Sequence, residues 1–259
     1  MPLPNNRHQM PLSPKMQALG LSMHYLHACD EFPIGNVLDP DTPANAARKV
    51  VETHLGDEFG SIYHLGLAHP CHNIVSYIGP CKTNGLFPAD GLIVPRGDQP
   101  FCIATLVADC ATIAIVNKTD VGFIHSGRPE VVGGVFQNFS RIWGFGIADT
   151  YGFVGPTISG RYYELESIPP GFEEFGCPTT WGAQGFDVPA AIERKLKVMG
   201  IDDHVTWSDV DPYDENLRGN TQWGSDQFYR VRKQDQKRPF SPRDCALLIY
   251  TPPAQTSAE

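Results

Sequence analysis

Cys110 and His125 are the two residues of this chain whose types and positions point most directly to chemistry. An ionised thiol is a nucleophile and a metal ligand. An imidazole is a general base and a metal ligand. Cys110 follows Ala108-Asp109 at the end of one apolar run, and His125 closes another just before Ser126-Gly127. Singly, each has an ordinary structural explanation. A Cys beside strands is usually a small buried hydrophobe, and a His at a strand end is usually a hydrogen-bonded surface group. At the ends of adjacent antiparallel strands they become a pair, able to act as nucleophile and base or to hold a metal.

The neighbouring segments have to position that pair. Phe101–Val107, residues 112–116 and residues 121–124 have the length and β-branched content of buried strands. Asn117-Lys118-Thr119-Asp120 is a turn cluster and predicts a hairpin between the second and third. Val132, Val135, Phe136, Phe139 and Trp143 then recur on one helical face, which predicts an amphipathic helix over 130–143.

The remaining segments read as follows. Residues 1–18 are Pro-rich and polar and are expected to form a loose arm ahead of a domain over 19–259. A short strand is expected after Leu19, where His24 and His27 lie near Cys29 as a second candidate metal cluster. Thr42 and Pro43 open a helix that Gly56 closes. Residues 62–67 and 74–78 read as strands, and 82–88 as a loop. Residues 151–154 read as a strand leading into Gly155-Pro156-Thr157-Ile158, and 167–185 as loop. A helix over 187–200 has Asp187 as cap, Pro189 in its first turn and Gly200 as stop. Strands are expected at 204–207, 228–233 and 245–250, with a polar loop over 209–227.

Composition narrows the function classes. Apolar residues make up 41%, enough for a sizeable core, and charged residues only 19%. The formal net charge is −9 and no Lys/Arg-rich run exists, which argues against nucleic acid as partner. No apolar run approaches about 18 residues, so no membrane span is expected. The first residues lack an apolar signal-peptide core. Seven Cys without framework spacing suit a reduced, cytoplasmic setting.

Several short elements occur in a recognisable order: Leu67-Ala68-His69-Pro70, Asp90-Gly91, Ala108-Asp109-Cys110, His125-Ser126-Gly127, and Gly155-Pro156-Thr157-Ile158 with Tyr163-Glu164. The set resembles the multicopper polyphenol oxidoreductase (laccase) domain family, whose members are also described as purine nucleoside phosphorylases. The resemblance covers roughly residues 20–250. It implies an α+β fold, with mixed β-sheets packed together and flanking helices in a single domain. It also implies a zinc held by His69, Cys110 and His125, three ligands with one position left for water or substrate. His64 and His72 are rival histidines to His69. Copper fits less well, because one Cys and two His supply a single mononuclear site. The implied function is zinc-dependent phosphorolysis of adenosine or inosine, with adenosine deamination as a further activity of the same site.

Other residues enter through the same resemblance. Asp109 would orient a ligand histidine, or else cap its turn. Arg128 and Arg161 are candidates for binding the anionic substrate, with Glu164 beside them. The chain departs from the family pattern where Trp-Arg-Gly becomes Arg128-Pro129-Glu130, where Pro70 replaces Gly, and where Ser208-Asp209-Val210 stands for a Cys-Thr element. Two alternatives belong to other classes. One is a metal-free hydrolase or deamidase with Cys110 as nucleophile and His125 as base. The other is a non-catalytic metal-binding member of the family.

Overall fold

The computed structural model describes residues 7–27, 51–52, 59, 61–65, 74–78, 85–143, 149–219, 223, 225, 227–228 and 244–254. In chain order the strands are β1 (Arg7–Gln9), β2 (Leu21–Leu26), β3 (Ser61–Leu65), β4 (Val75–Tyr77), β5 (Gly85–Phe87), β6 (Gly91–Pro95), β7 (Phe101–Val107), β8 (Ala111–Val116), β9 (Asp120–Ser126), β10 (Tyr151–Val154), β11 (Gly176–Pro178), β12 (Gln184–Phe186), β13 (Val205–Trp207) and β14 (Asp244–Tyr250). The α-helices are α1 (Pro14–Ala18), α2 (Arg128–Gly133), α3 (Val135–Trp143), α4 (Val188–Met199) and α5 (Pro212–Leu217).

Two mixed six-stranded sheets result, ordered β1-β2-β14-β7-β3-β5 and β13-β10-β8-β9-β6-β4. Side chains alternate across each strand, so each sheet has two faces to bury. Met23, Tyr25, Ile103 and Leu248 of the first sheet meet Leu92, Ala114, Phe123 and Phe153 of the second in one core. The outer face of the second sheet, with Ile113, Ile115 and Ile124, is covered by Phe136 and Phe139 of α3 and Ile192 and Leu196 of α4. The outer face of the first sheet carries Ile62, Cys102, Ala104 and Leu247, packed with Val51 and Phe59. This is the expected α+β arrangement of mixed sheets and flanking helices.

The turn chemistry explains the hairpin at Asn117. Asn117 Oδ1 accepts from the backbone N–H of Thr119 at 2.8 Å and of Asp120 at 2.7 Å, the local bonding that favours Asn in turns. In α4 the Asp187 side chain accepts from Ala190 N, Pro189 lies in the first turn, and Gly200 ends the helix at φ 74°.

Several expectations are corrected. Residues 7–18 are not a loose arm: β1 pairs with β2, and Met10, Leu12 and Met16 are buried. The helix expected over 130–143 is two helices, α2 and α3, divided at Gly134, whose φ of 104° lies in the left-handed region. The loops expected at 82–88, 167–185 and 209–227 contain β5, the β11–β12 hairpin and α5. Phe228, expected to begin a strand, is helical. Of the helix expected after Pro43, only Val51 and Glu52 are described, and both are helical.

Candidate functional site

Cys110 occupies the tight turn between β7 and β8, and His125 the last turn of backbone in β9. Thr112 stands opposite His125 and Ala111 opposite Ser126, so Cys110 is one step further on, opposite Gly127. Residues opposite one another share a face. Cys110, Thr112 and His125 therefore lie on the inter-sheet face with Ala114 and Phe123, at its open end. Gly127 completes the fit. A Cβ placed there would lie 2.6 Å from Cys110 Sγ and 3.1 Å from Glu130 Oε2. The thiol is thus packed against the bare Cα of Gly127 and directed towards β9. Cys110 is half-buried and His125 is buried.

Three further segments hold this end of the sandwich. Asp90 O accepts from His125 N at 2.8 Å, and Asp90 Oδ2 accepts from Ile74 N at 3.1 Å. Asp90 thereby joins β9, β6 and the start of β4. The Gly155-Pro156-Thr157-Ile158 element wraps the Cys110 turn. Gly155 N donates to Thr112 O at 2.8 Å, Ile158 N to Asp109 O at 3.0 Å, and Thr157 Oγ1 to Asp109 O at 3.2 Å. A side chain at Gly155 would overlap the Tyr25 hydroxyl, which is itself 2.5 Å from Thr112 Oγ1. That contact ties the two sheets together beside the pair. Burial pushes the Tyr25 hydroxyl well above its ordinary range, so it stays protonated.

The other expected residues divide. The Asp109 carboxylate accepts from Ser225 Oγ at 2.5 Å and from Gln227 N at 2.7 Å, so it anchors that segment against the turn. Arg128 is half-buried at the first position of α2, just past His125-Ser126-Gly127. Arg161 is farther out: its side chain is 55% exposed and lies 3.5 Å from Asp214 of α5. Glu164 accepts from Trp181 Nε1 at 2.8 Å. His69, His72 and Cys29 lie outside the described residues. His64 shares the outer face of the first sheet with Ile62, away from Cys110, because Tyr63 and Leu65 take the inner face. Among the described residues no group of three His, Cys, Asp or Glu side chains is arranged to hold a metal. Cys110 and His125 supply two donors of the kind zinc takes.

The His24–His27 pair separates. His24 faces outward and accepts from Arg7 Nε at 2.7 Å. Burial, aided by that guanidinium, lowers its pKa to about 3. His27 faces inward, 3.0 Å from Asp244 at the start of β14 and edge-on to Trp223 at 4.6 Å.

The family model described as multi-copper polyphenol oxidoreductase laccase matches residues 36–238. The chain belongs to this family. A purine nucleoside phosphorylase of Mycobacterium bovis is 24% identical over 196 residues, covering 71% of this chain and 74% of that one. Among solved structures, a Neisseria meningitidis protein superposes with a TM-score of 0.68 at 17% identity, covering 96% of this chain and 100% of that one. YfiH of Bacillus licheniformis gives 0.64 at 14%, covering 88% and 92%. These likenesses carry the laccase-domain fold.

Within this laccase-domain chain, sequence reading missed one side chain at the pair. Glu130 is buried, and its Oε1 lies 3.9 Å from His125 Nδ1. Its Oε2 accepts from Gly127 N at 2.7 Å. The signal was present: Glu three residues past a helix-capping Gly is where a side chain reaches back to the cap N–H.

Proposed function

We propose that this protein is a zinc-dependent purine nucleoside phosphorylase, acting on adenosine or inosine. The observation that carries the reading is the placement of Cys110 and His125 on one face at the same end of the β8–β9 pair, in a laccase-domain chain similar to proteins named for that activity. Cys110 and His125 would hold zinc together with His69. The strands flanking His69 favour this. β3 runs parallel to β7, which leads to Cys110, and Ile74 is tied to Asp90, which also receives His125 N. Zinc there would supply Lewis acidity and lower the pKa of a bound water.

The chain's own groups then have separable tasks. Phosphorolysis breaks the bond between ribose C1′ and the purine nitrogen and forms one between C1′ and a phosphate oxygen, while the departing base gains a proton. Phosphate needs positive charge or N–H donors, and Arg128, which follows His125-Ser126-Gly127 at the start of α2, is the first candidate. Arg161, drawn towards Asp214, is the second. Asp109 keeps the Cys110 turn in place through Ser225 and Gln227. Adenosine deamination would use the same centre with water as nucleophile.

Zinc-loaded protein should release free base and ribose 1-phosphate from adenosine or inosine only when phosphate is present. Inertness towards all common nucleosides, with and without phosphate, would defeat the proposal. A thiol and an imidazole on one face at the same strand ends also suit a metal-free Cys/His hydrolase. Activity that survives chelation would favour that reading instead.

A further inference from the structure

We infer that Glu130 is a positioning residue which sets the tautomer of His125, presenting Nε2 rather than Nδ1 to the Cys110 side of the site. This rests on reading Cys110 and His125 as the functional pair. A carboxylate as buried as Glu130, at 1% exposure, is costly unless its oxygens find donors. Its two oxygens face two different groups. Oε2 takes the Gly127 N–H at 2.7 Å, and Oε1 faces His125 Nδ1 at 3.9 Å, with both side chains out of solvent. The second distance exceeds a hydrogen bond, yet in a buried setting a carboxylate favours a proton on the nitrogen that faces it. The other ring nitrogen, Nε2, is then left with its lone pair.

Glu130 also touches the second half of the pair. Gly127, whose N–H it receives, is the glycine whose bare Cα receives Cys110 Sγ. One side chain therefore contacts both the glycine under the thiol and the His125 ring. The bland reading is that Glu130 only caps α2, since Glu at the third helical position commonly reaches back in this way.

Glu130→Gln separates the two readings. The single amide oxygen of Gln can still accept from Gly127 N–H, so the cap and the fold are kept. Its NH2 group would then turn to His125 Nδ1 and donate, which reverses the tautomer. The measurement is 15N NMR of the histidine side chains in metal-free protein at mildly alkaline pH. His125 is assigned by the signal lost in His125→Gln. Wild type should show protonated Nδ1, and Glu130→Gln should show protonated Nε2. Zinc affinity, read by competition with a chromogenic chelator, should weaken by about 10–100-fold in the same variant. Wild type with protonated Nε2, or a variant with unchanged tautomer and zinc affinity, would overturn the inference and leave Glu130 as a helix cap. The tautomer is read without metal or substrate, so failure of the phosphorylase reading does not decide it.

Discussion

Gly127 and Cys110 set the geometry of the pair between them. Gly127 has φ −101° and ψ −168°, ordinary extended backbone, so Ala fits its dihedrals and what is lost is the space beside Cys110 and Glu130. Gly127→Ala should therefore cost about 1–3 kcal/mol of stability through crowding. It should also lower kcat/KM by on the order of 100-fold through a displaced thiol. Full activity in that variant would mean that the thiol's seat is unimportant. Cys110 should alkylate slowly with zinc present and fast after chelation, because a zinc held as proposed would occupy the thiolate. Cys177 is the other half-buried thiol among those described, so this comparison is made in Cys177→Ser protein. Cys245 will not interfere: burial pushes its thiol up to about 12.

His24 makes a separate prediction. Its folded pKa of about 3 lies below the ordinary histidine value of 6.5, so the unfolded chain binds a proton that the folded chain refuses between those values. Stability from this site is complete above about pH 6.5 and is lost as pH falls towards about 3. Urea midpoints should decline across that window, and His24→Gln should flatten the decline. An unchanged slope would remove His24 as the cause.

The individual elements differ in how openly the sequence displayed them. β7, β8, β9, β10 and β14 were legible because each is a run of apolar or β-branched residues bounded by turn or polar residues. The 187–200 helix was legible through its cap, its proline and its terminal glycine. β4 was also expected, but the three-residue strand β5 shows no period, and β11–β12 sit in Pro- and Gly-rich chain where composition suggests loop. The arm at 7–18 misled for a related reason. Its Met10, Leu12 and Met16 are spaced for no single periodic element, yet all three are buried. Gly134 was hidden inside a helical pattern that runs through it, and its left-handed φ became visible only in three dimensions. Gly134→Ala should thus cost about 1–3 kcal/mol from backbone strain. Phe139 of α3 is fully buried, its ring packed over Gly122 of β9. Phe139→Ala should cost about 3–5 kcal/mol, measured by urea unfolding. A loss well under 1 kcal/mol would mean that α3 does not hold β9 in place.

Across the whole molecule, the candidate site is a product of topology. Cys110 comes from the link between the sheets, since β7 belongs to the first and β8 to the second. His125 ends a strand of the second sheet, and the chain carrying His69 runs between β3 of the first and β4 of the second. A metal bound by all three would join both sheets at one end, so removing it should lower the melting temperature, by an amount that grows with zinc concentration. The sequence could nominate Cys110 and His125 by their strand ends, but not the place of Glu130 beside His125, because a Glu three residues past a capping Gly reads first as an ordinary helix cap. Elemental analysis of the purified protein should find one zinc per chain. Metal-free protein that still cleaves nucleosides at full rate would contradict it.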